Sequence, residues 1–450
     1  VLGLVGAGRP TIWTDEAVTL SLLRRPPGEV LDVLGEVDAV HGLYYLALRC
    51  WTAVTGESIE AVRAFSALGV GVAAAGVVVL VLRYLPLPTA VAAGLATALL
   101  PGLSWAAVDG RSYAWAAALA VLATLALDDA RFKDTRATWV LYGVLATVVC
   151  WWHLYLALLM LAHGIAVAAV ERWALRTWLL TAACVGAATS PLALVAWGQR
   201  AQVSWLADVD YRWDTVLVHE LVGGDVGDPL HTREVVAFAV IGLAAYGLVR
   251  RWQARDEWLV VLLGSWAAVP TALAVGSALG DAGWVHARYL AFAVPAFAAA
   301  AVIGAAELPR RTPLLVGAVS LLAVVPLVVA QRGTDAKPHD LRAVAETAVR
   351  SNASVVFTDP AARAVAAAYP LAFADNHDLS AVSDPHPDPF FDEVRDPATL
   401  APGDVEGRRV LVYSTRTGPG VERLEELGCT GRTVLRDRGY RVRYYRCPAG

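Results

Sequence analysis

Ten apolar runs dominate this chain and leave few folds open to it. They lie near residues 61–83, 88–107, 113–127, 138–155, 156–171, 178–197, 235–250, 258–279, 289–306 and 313–330. An α-helix rises about 1.5 Å per residue, so about 20 apolar residues cross a hydrocarbon core roughly 30 Å thick. In lipid every backbone polar group must be satisfied internally, which leaves helices or closed barrels. Runs of this length are helices, and the expected fold is a polytopic α-helical membrane protein. Val1–Gly8 is apolar but too short to cross; read as the end of a truncated first helix, it brings the expectation to about 11 spans. His41–Thr55 is also short and contains Arg49, so it is expected as a re-entrant or interfacial helix.

Composition agrees with that reading. Only 17% of the 450 residues are charged and 57% are hydrophobic, against roughly 25% charged in soluble domains. A net charge of −4 excludes the basic character that nucleic-acid binding needs. Sixteen tryptophans suit the interfacial belts of a membrane protein.

Basic residues in short loops orient the chain. Alternate connections carry Arg83; Arg131, Lys133 and Arg136; Arg172 and Arg176; Arg250, Arg251 and Arg255; and Arg310 and Arg311. These are expected on the cytoplasmic side. The opposite face then receives the loops 9–60 and 198–234, the connection around Ala107–Ser112, the turn 280–288, and everything after Gln331. It gathers Asp15, Glu16, Asp109, Arg111, His153, Asp281, His286 and Arg288 on one side. Residues 1–333 are the expected transmembrane domain and 334–450 a small soluble α/β domain. In the latter, helices are expected at Leu341–Arg350, Ala361–Ala368 and Val421–Leu427. Strands are expected at Ala353–Thr358 and Arg409–Ser414, with a closing hairpin of Arg432–Arg436 and Arg441–Arg446. Cys50, Cys150 and Cys184 lie in apolar segments and read as small hydrophobes. Cys429 and Cys447 are a candidate disulfide if their domain faces an oxidising compartment.

Three segments carry chemistry. The first is Thr14-Asp15-Glu16-Ala17. The second is Asp38-Ala39-Val40-His41-Gly42-Leu43-Tyr44-Tyr45, leading to Gly56-Glu57-Ser58 and Arg63. The third is Val285-His286-Ala287-Arg288-Tyr289-Leu290, running into Pro295, with Arg111-Ser112-Tyr113 at another helix entrance. In these segments the chain resembles the polytopic GT-C glycosyltransferases. The similarity is closest to the branch of protein O-mannosyltransferases, aminoarabinose transferases and actinobacterial cell-envelope mannosyl- and arabinosyltransferases. That branch typically has an Asp-Glu pair in the first outer loop, a His-Pro-Pro-Leu-Tyr-Tyr-like segment, a Gly-Asp/Glu-Ser turn followed by Arg, and an Arg-Tyr-Leu start to a late helix. The resemblance covers residues 1–330 and departs at His41-Gly42-Leu43, where the prolines are missing.

The resemblance implies an inverting glycosyltransferase using a polyprenyl-phosphate sugar, with mannose first and arabinose next. Its acceptor would be an envelope glycan, glycolipid or protein. The implied location is the bacterial plasma membrane, with the site and the C-terminal domain extracytoplasmic. Chemistry points the same way. A phosphate departs without being protonated, so the enzyme needs one carboxylate to accept the acceptor's proton and cations to stabilise the departing charge. A glycosidase needs two carboxylates, because its leaving alcohol must be protonated.

Asp15 is read as the base with Glu16 beside it, and Arg288, His41 and Arg111 as the phosphate-binding set. Tyr44, Asp109, Tyr289 and Trp213 are read as substrate contacts, and no metal is required. Structural readings stand beside these: Asp15 as a helix cap, Glu16 as a partner of the helix dipole, Arg288 as a snorkelling cation, and Tyr44 and His153 as packed core groups. The loop Trp205–Asp214 suits sugar stacking or a lid. Its acids lack the Gly and Glu of a calcium loop, and the acids and histidines of 375–388 read as solvated. A transporter or flippase of lipid-linked sugars is the alternative from another class; inverted repeats and broken helices would favour it.

Overall fold

The computed structural model describes residues 3–208, 212–223, 232–280, 285–309, 311–382, 390–415 and 422–449. Asp210, Asp281, Asp384, His386 and Asp388, with the side chain of Asp208, lie outside the described part. The chain divides into two compact units, one of residues 1–8 and 37–333 and the other of residues 9–36 and 334–450. Residues 9–36, read above as part of the outer loop of the helical domain, therefore group with the C-terminal segment. They carry helices α1 (Thr14–Arg24) and α2 (Pro27–Glu36).

The larger unit is all helix. It comprises α3 (Gly42–Thr55), α4 (Ile59–Leu82), α5 (Leu87–Leu99), α6 (Pro101–Ala107), α7 (Tyr113–Lys133), α8 (Arg136–Trp152) and α9 (Ala157–Val170). It continues with α10 (Leu175–Gly198), α11 (Trp213–Val222), α12 (Arg233–Gln253), α13 (Glu257–Leu279), α14 (Val294–Ala306) and α15 (Thr312–Ala330). All ten apolar runs are helical. Among the described residues seven helices are long and apolar enough to cross a membrane, and an eighth span is available if α5 and α6 count as one. The α8 helix has 17 residues and the apolar stretch Leu154–Val170 is likewise short, so these two fall just below full span length. Residues 3–8 form turns rather than the end of a helix.

The run 88–107 breaks by 61° between α5 and α6. The cause is Pro101, which lacks an N–H and pushes the preceding residue out of helical backbone. Leu100 accordingly sits at φ −54°, ψ 126°. Helices α12 and α14 meet backbone to backbone at glycines: a Cβ on Gly247 would lie 2.5 Å from the Gly304 amide nitrogen. Small residues at such crossings are how membrane helices approach closely where lipid supplies no hydrophobic drive. Polar staples also tie the bundle together. Thr124 and Tyr142 each lie 3.1 Å from a ring nitrogen of His163, and the Trp178 indole donates to the Tyr142 hydroxyl at 3.2 Å.

The smaller unit holds a four-stranded sheet in the order β1-β2-β4-β3, with β1 at Ser354–Phe357, β2 at Arg409–Thr415, β3 at Thr430–Asp437 and β4 at Tyr440–Arg446. The β1–β2 pair is parallel, and the other two pairs are antiparallel. Alternation along β2 sends Val410 and Val412 to a core shared with Val356, Leu400, Leu424 and Tyr445. The helices are α16 (Leu341–Val349), α17 (Ala364–Ala368), α18 (Pro402–Val405) and α19 (Glu422–Glu426). Each expected element of this domain is present within a few residues. Cys429 and Cys447, flanking the β3–β4 hairpin, form a disulfide.

Candidate functional site

In the larger unit, four chain segments bring a polar cluster together. It starts at Asp38, a non-glycine residue at φ 60°. Left-handed backbone costs such a residue roughly 1–2 kcal/mol, and here two side chains from just beyond α10 hold it. The Asp38 amide donates to Gln202 Oε1 at 2.8 Å, and the Ala39 amide donates to Gln199 Oε1 at 3.0 Å. A short 3-10 turn over Ala39–His41 then returns the His41 ring to the Asp38 carboxylate, with Nδ1 2.7 Å from Oδ1.

Helix α3 begins at Gly42, and its first turn supplies Tyr45, four residues after His41 and therefore on the same face. The Tyr45 hydroxyl donates to Asp38 Oδ2 at 2.5 Å. From the connection before α7, Arg111 donates to that hydroxyl at 2.9 Å and lies 3.9 Å from Asp38 Oδ2. Asp38, His41 and Arg111 are all buried. Burial alone would raise the Asp38 carboxyl, but the charge and hydrogen bond of His41, with Arg111 and Tyr45, hold it well below the usual carboxylate range.

A second layer is aromatic. His153 follows the end of α8, and its ring lies 5.2 Å from that of His41 and 5.4 Å from that of Tyr289. Its Nδ1 is buried with no hydrogen-bond partner among the described residues. The Tyr113 and Tyr289 rings are 6.0 Å apart, and Tyr155 stacks on Tyr289 at 5.5 Å. Arg288 completes the layer, its guanidinium carbon 5.9 Å from the Tyr113 ring centre and 5.8 Å from that of Tyr289. Cation–π contacts of this kind draw the guanidinium to the ring faces. His286, two residues before Arg288, has its imidazole lowered by burial and by the charges of Arg288 and His219.

The other candidates fall into three groups. Asp109 is fully buried beside this cluster's segment, its carbonyl accepting from Ser66 at 2.6 Å. Tyr44 is fully buried and packs between Tyr45, Phe65 and Trp152, a core aromatic adjoining the cluster. Trp213 is exposed at the start of α11, beside an Arg212–Asp214 pair.

Asp15 and Glu16 belong to the smaller unit, in the first turn of α1. That helix starts after Trp13, whose side chain makes no capping hydrogen bond. Glu16 is fully buried, with Lys337 Nζ 4.0 Å from its Oε1 and equally buried. Lys337 is one of two lysines in the chain, and its ammonium also lies 5.7 Å from the Trp13 ring centre. Asp15 is half-buried and lies near His339, whose imidazole is lowered by burial while Asp15 acts to raise it.

Sequence reasoning left Asp38 without a role of its own and weighed Tyr45 only as a belt or packing aromatic or a substrate contact. The signal was present in the spacing Asp38-x-x-His41 with Tyr45 four residues on. Among the described residues, no group of three or more His, Cys, Asp or Glu is arranged to hold a metal ion.

Two crystal structures share this architecture over almost its whole length. One is ArnT from Cupriavidus metallidurans in the apo state, with a TM-score of 0.61 at 12% identity over 98% of this chain and 95% of that one. The other is ArnT from the same organism bound to undecaprenyl phosphate, with a TM-score of 0.61 at 13% identity over 98% and 96% of the two chains. No family model and no curated relative matches the sequence. At these identities the likeness is one of fold. The chain is a polytopic helical membrane protein that shares its fold with ArnT and has a small C-terminal α/β domain.

Proposed function

We propose that this chain is an inverting glycosyltransferase that moves a sugar from a polyprenyl-phosphate donor to a cell-envelope acceptor on the outer face of the membrane. The observation that carries the reading is the Asp38–His41–Arg111–His153–Tyr289–Arg288 cluster. It joins cations and aromatic rings at the helix ends of a bundle whose fold is shared with a protein seen bound to undecaprenyl phosphate. In the reaction the acceptor oxygen attacks the anomeric carbon while the bond to phosphate breaks on the opposite face. The phosphate leaves with its electron pair, and one carboxylate takes the acceptor's proton. Arg288, Arg111 and His41 are assigned to the departing phosphate, Tyr289 and Asp109 to the sugar, and Asp15 to the proton. The reading assigns no metal. Mannose is the first choice of sugar and arabinose the second, both on family analogy.

The Cys429–Cys447 disulfide supports an extracytoplasmic C-terminal domain, since such bonds persist in oxidising compartments. The broken α5–α6 pair is the one feature that would suit a transporter of lipid-linked sugars instead. Replacing Asp15 separates the two readings. In a glycosyltransferase, Asp15→Asn lowers transfer by about 10²–10⁴-fold with folding retained. Near-normal turnover of that variant would remove Asp15 from the mechanism.

A further inference from the structure

The hydrogen-bond chain around Asp38 fixes where its protons lie. An arginine side chain only donates, so the Arg111 contact makes the Tyr45 oxygen an acceptor and turns the single Tyr45 proton toward Asp38 Oδ2. His41 Nδ1 occupies the other carboxylate oxygen. A carboxylate in this setting is ionised, so the proton between His41 and Asp38 sits on Nδ1. The ring therefore turns Nε2 away from Asp38, and a buried carboxylate behind an imidazole favours a second proton on it. Among the described residues, the groups facing His41 include Asp38 and Tyr45 from its own segment, Arg111 and Tyr113 from the approach to α7, and His153 from the end of α8. The neighbours from just beyond α10, Gln199 and Gln202, are neutral and hold the turn in register.

From this geometry we infer that Asp38 is a positioning residue: it fixes the Nδ1–H tautomer of His41 and holds the ring as an imidazolium whose Nε2–H donates to an anionic phosphate oxygen. This rests on the proposed donor chemistry for the identity of the anion, but not for the state of the ring. It also accounts for the left-handed backbone at Asp38. That conformation lets one short segment place a carboxylate directly behind the ring that follows it three residues later, and strained non-glycine backbone of this kind concentrates at functional positions.

The test reads the ring itself. The full chain, labelled with 15N in its histidine rings and held in detergent, is titrated by NMR, with His41 assigned by the signal lost in His41→Gln. The expectation is that both His41 nitrogens are protonated at neutral pH, and that Asp38→Asn lowers the pH at which the second proton leaves by about one to three pH units. Tyr45→Phe, which keeps the carboxylate, leaves the ring protonated and guards against a folding failure in Asp38→Asn. A His41 ring already neutral at pH 7 in the wild type, or one unmoved by Asp38→Asn, would overturn the inference. Binding of a polyprenyl phosphate is measured on the same samples. Wild-type protein with the expected ring state but no binding would count against the proposed function and leave the assignment of Asp38 standing. Binding that weakens about tenfold in Asp38→Asn, together with the shift in the His41 ring, supports both.

Discussion

The two ends of α7 carry similar side chains in unlike company. At its C-terminal end, Asp128 accepts from Arg83 at 2.7 Å, Arg131 at 3.2 Å, Tyr84 at 2.5 Å and the Trp258 indole at 2.9 Å. Arg131 is held in turn by Glu171 at 2.8 Å and covers the Trp258 ring at 4.5 Å. Asp129 completes the set with Arg83 and Lys133. Arg83 and Glu171, outside α7, meet opposite charges on it, while Lys133 pairs within α7, so the network pins helix ends to one another. At the N-terminal end lie Tyr113 and, just before it, Arg111. They belong to a cluster where Arg288 faces rings, two histidines stand side by side, and the Asp38 carboxylate accepts from His41 and Tyr45. Fifteen residues of α7, about 23 Å at 1.5 Å each, separate Tyr113 from Asp128. One end is closed by its own chain, whereas the other is the end proposed above to meet a ligand that brings negative charge.

This contrast makes the two ends respond differently to substitution. The largest effect is expected at the closed end. Asp128→Ala leaves two arginines without their shared carboxylate and should cost about 3 kcal/mol, after allowing for the partial exposure of Arg83. It should appear as a lower thermal midpoint with donor affinity intact. Loss of donor binding at unchanged stability would erase the distinction between the ends. At the other end, Arg288→Ala should weaken polyprenyl-phosphate binding by roughly 10–100-fold, the worth of a hydrogen bond to a charged group. Its thermal midpoint should hardly move. Unchanged affinity would show Arg288 to be a snorkelling or packing residue.

A smaller effect sharpens the comparison with a third buried acid. Glu220 on α11 is buried with Thr271 as its hydrogen-bond partner, at 2.9 and 3.1 Å, and burial pushes its carboxyl from 4.5 up to about 8. The folded chain thus keeps a proton that the unfolded chain loses. This contribution to stability is complete below about pH 4.5 and is lost as pH rises through about 8. Glu220→Gln should flatten that decline, read as thermal midpoints from pH 5 to 8.5. An unchanged slope would mean that Glu220 ionises freely in the folded protein.

Much of the helical unit was legible because apolar length is a one-dimensional signal. The broken span was legible as well, in Pro101, had its lost N–H been weighed against the run around it. The sheet of the smaller unit followed from alternation in Arg409–Ser414 and the hairpin after it. The grouping of residues 9–36 with the C-terminal segment was not legible. An amphipathic stretch announces that it docks, but Glu16 gives no sign that its partner is Lys337, more than 300 residues away. Topological parity correctly gathered Arg111, His153 and Arg288 into one cluster, because helix ends on one side of a bundle share a surface. Parity says nothing about hydrogen bonds, so Asp38 passed as part of a motif. Its role depends on Tyr45 and Arg111 converging on one carboxylate.

Incubating the purified chain with a panel of polyprenyl-phosphate sugars tests the central claim most directly. The expected result is consumption of at least one mannosyl or arabinosyl donor, with release of polyprenyl phosphate and inversion at the anomeric carbon, lost in Asp15→Asn. Intact donors across the panel in the presence of envelope acceptors, or movement of a lipid-linked sugar between leaflets without cleavage, would contradict it.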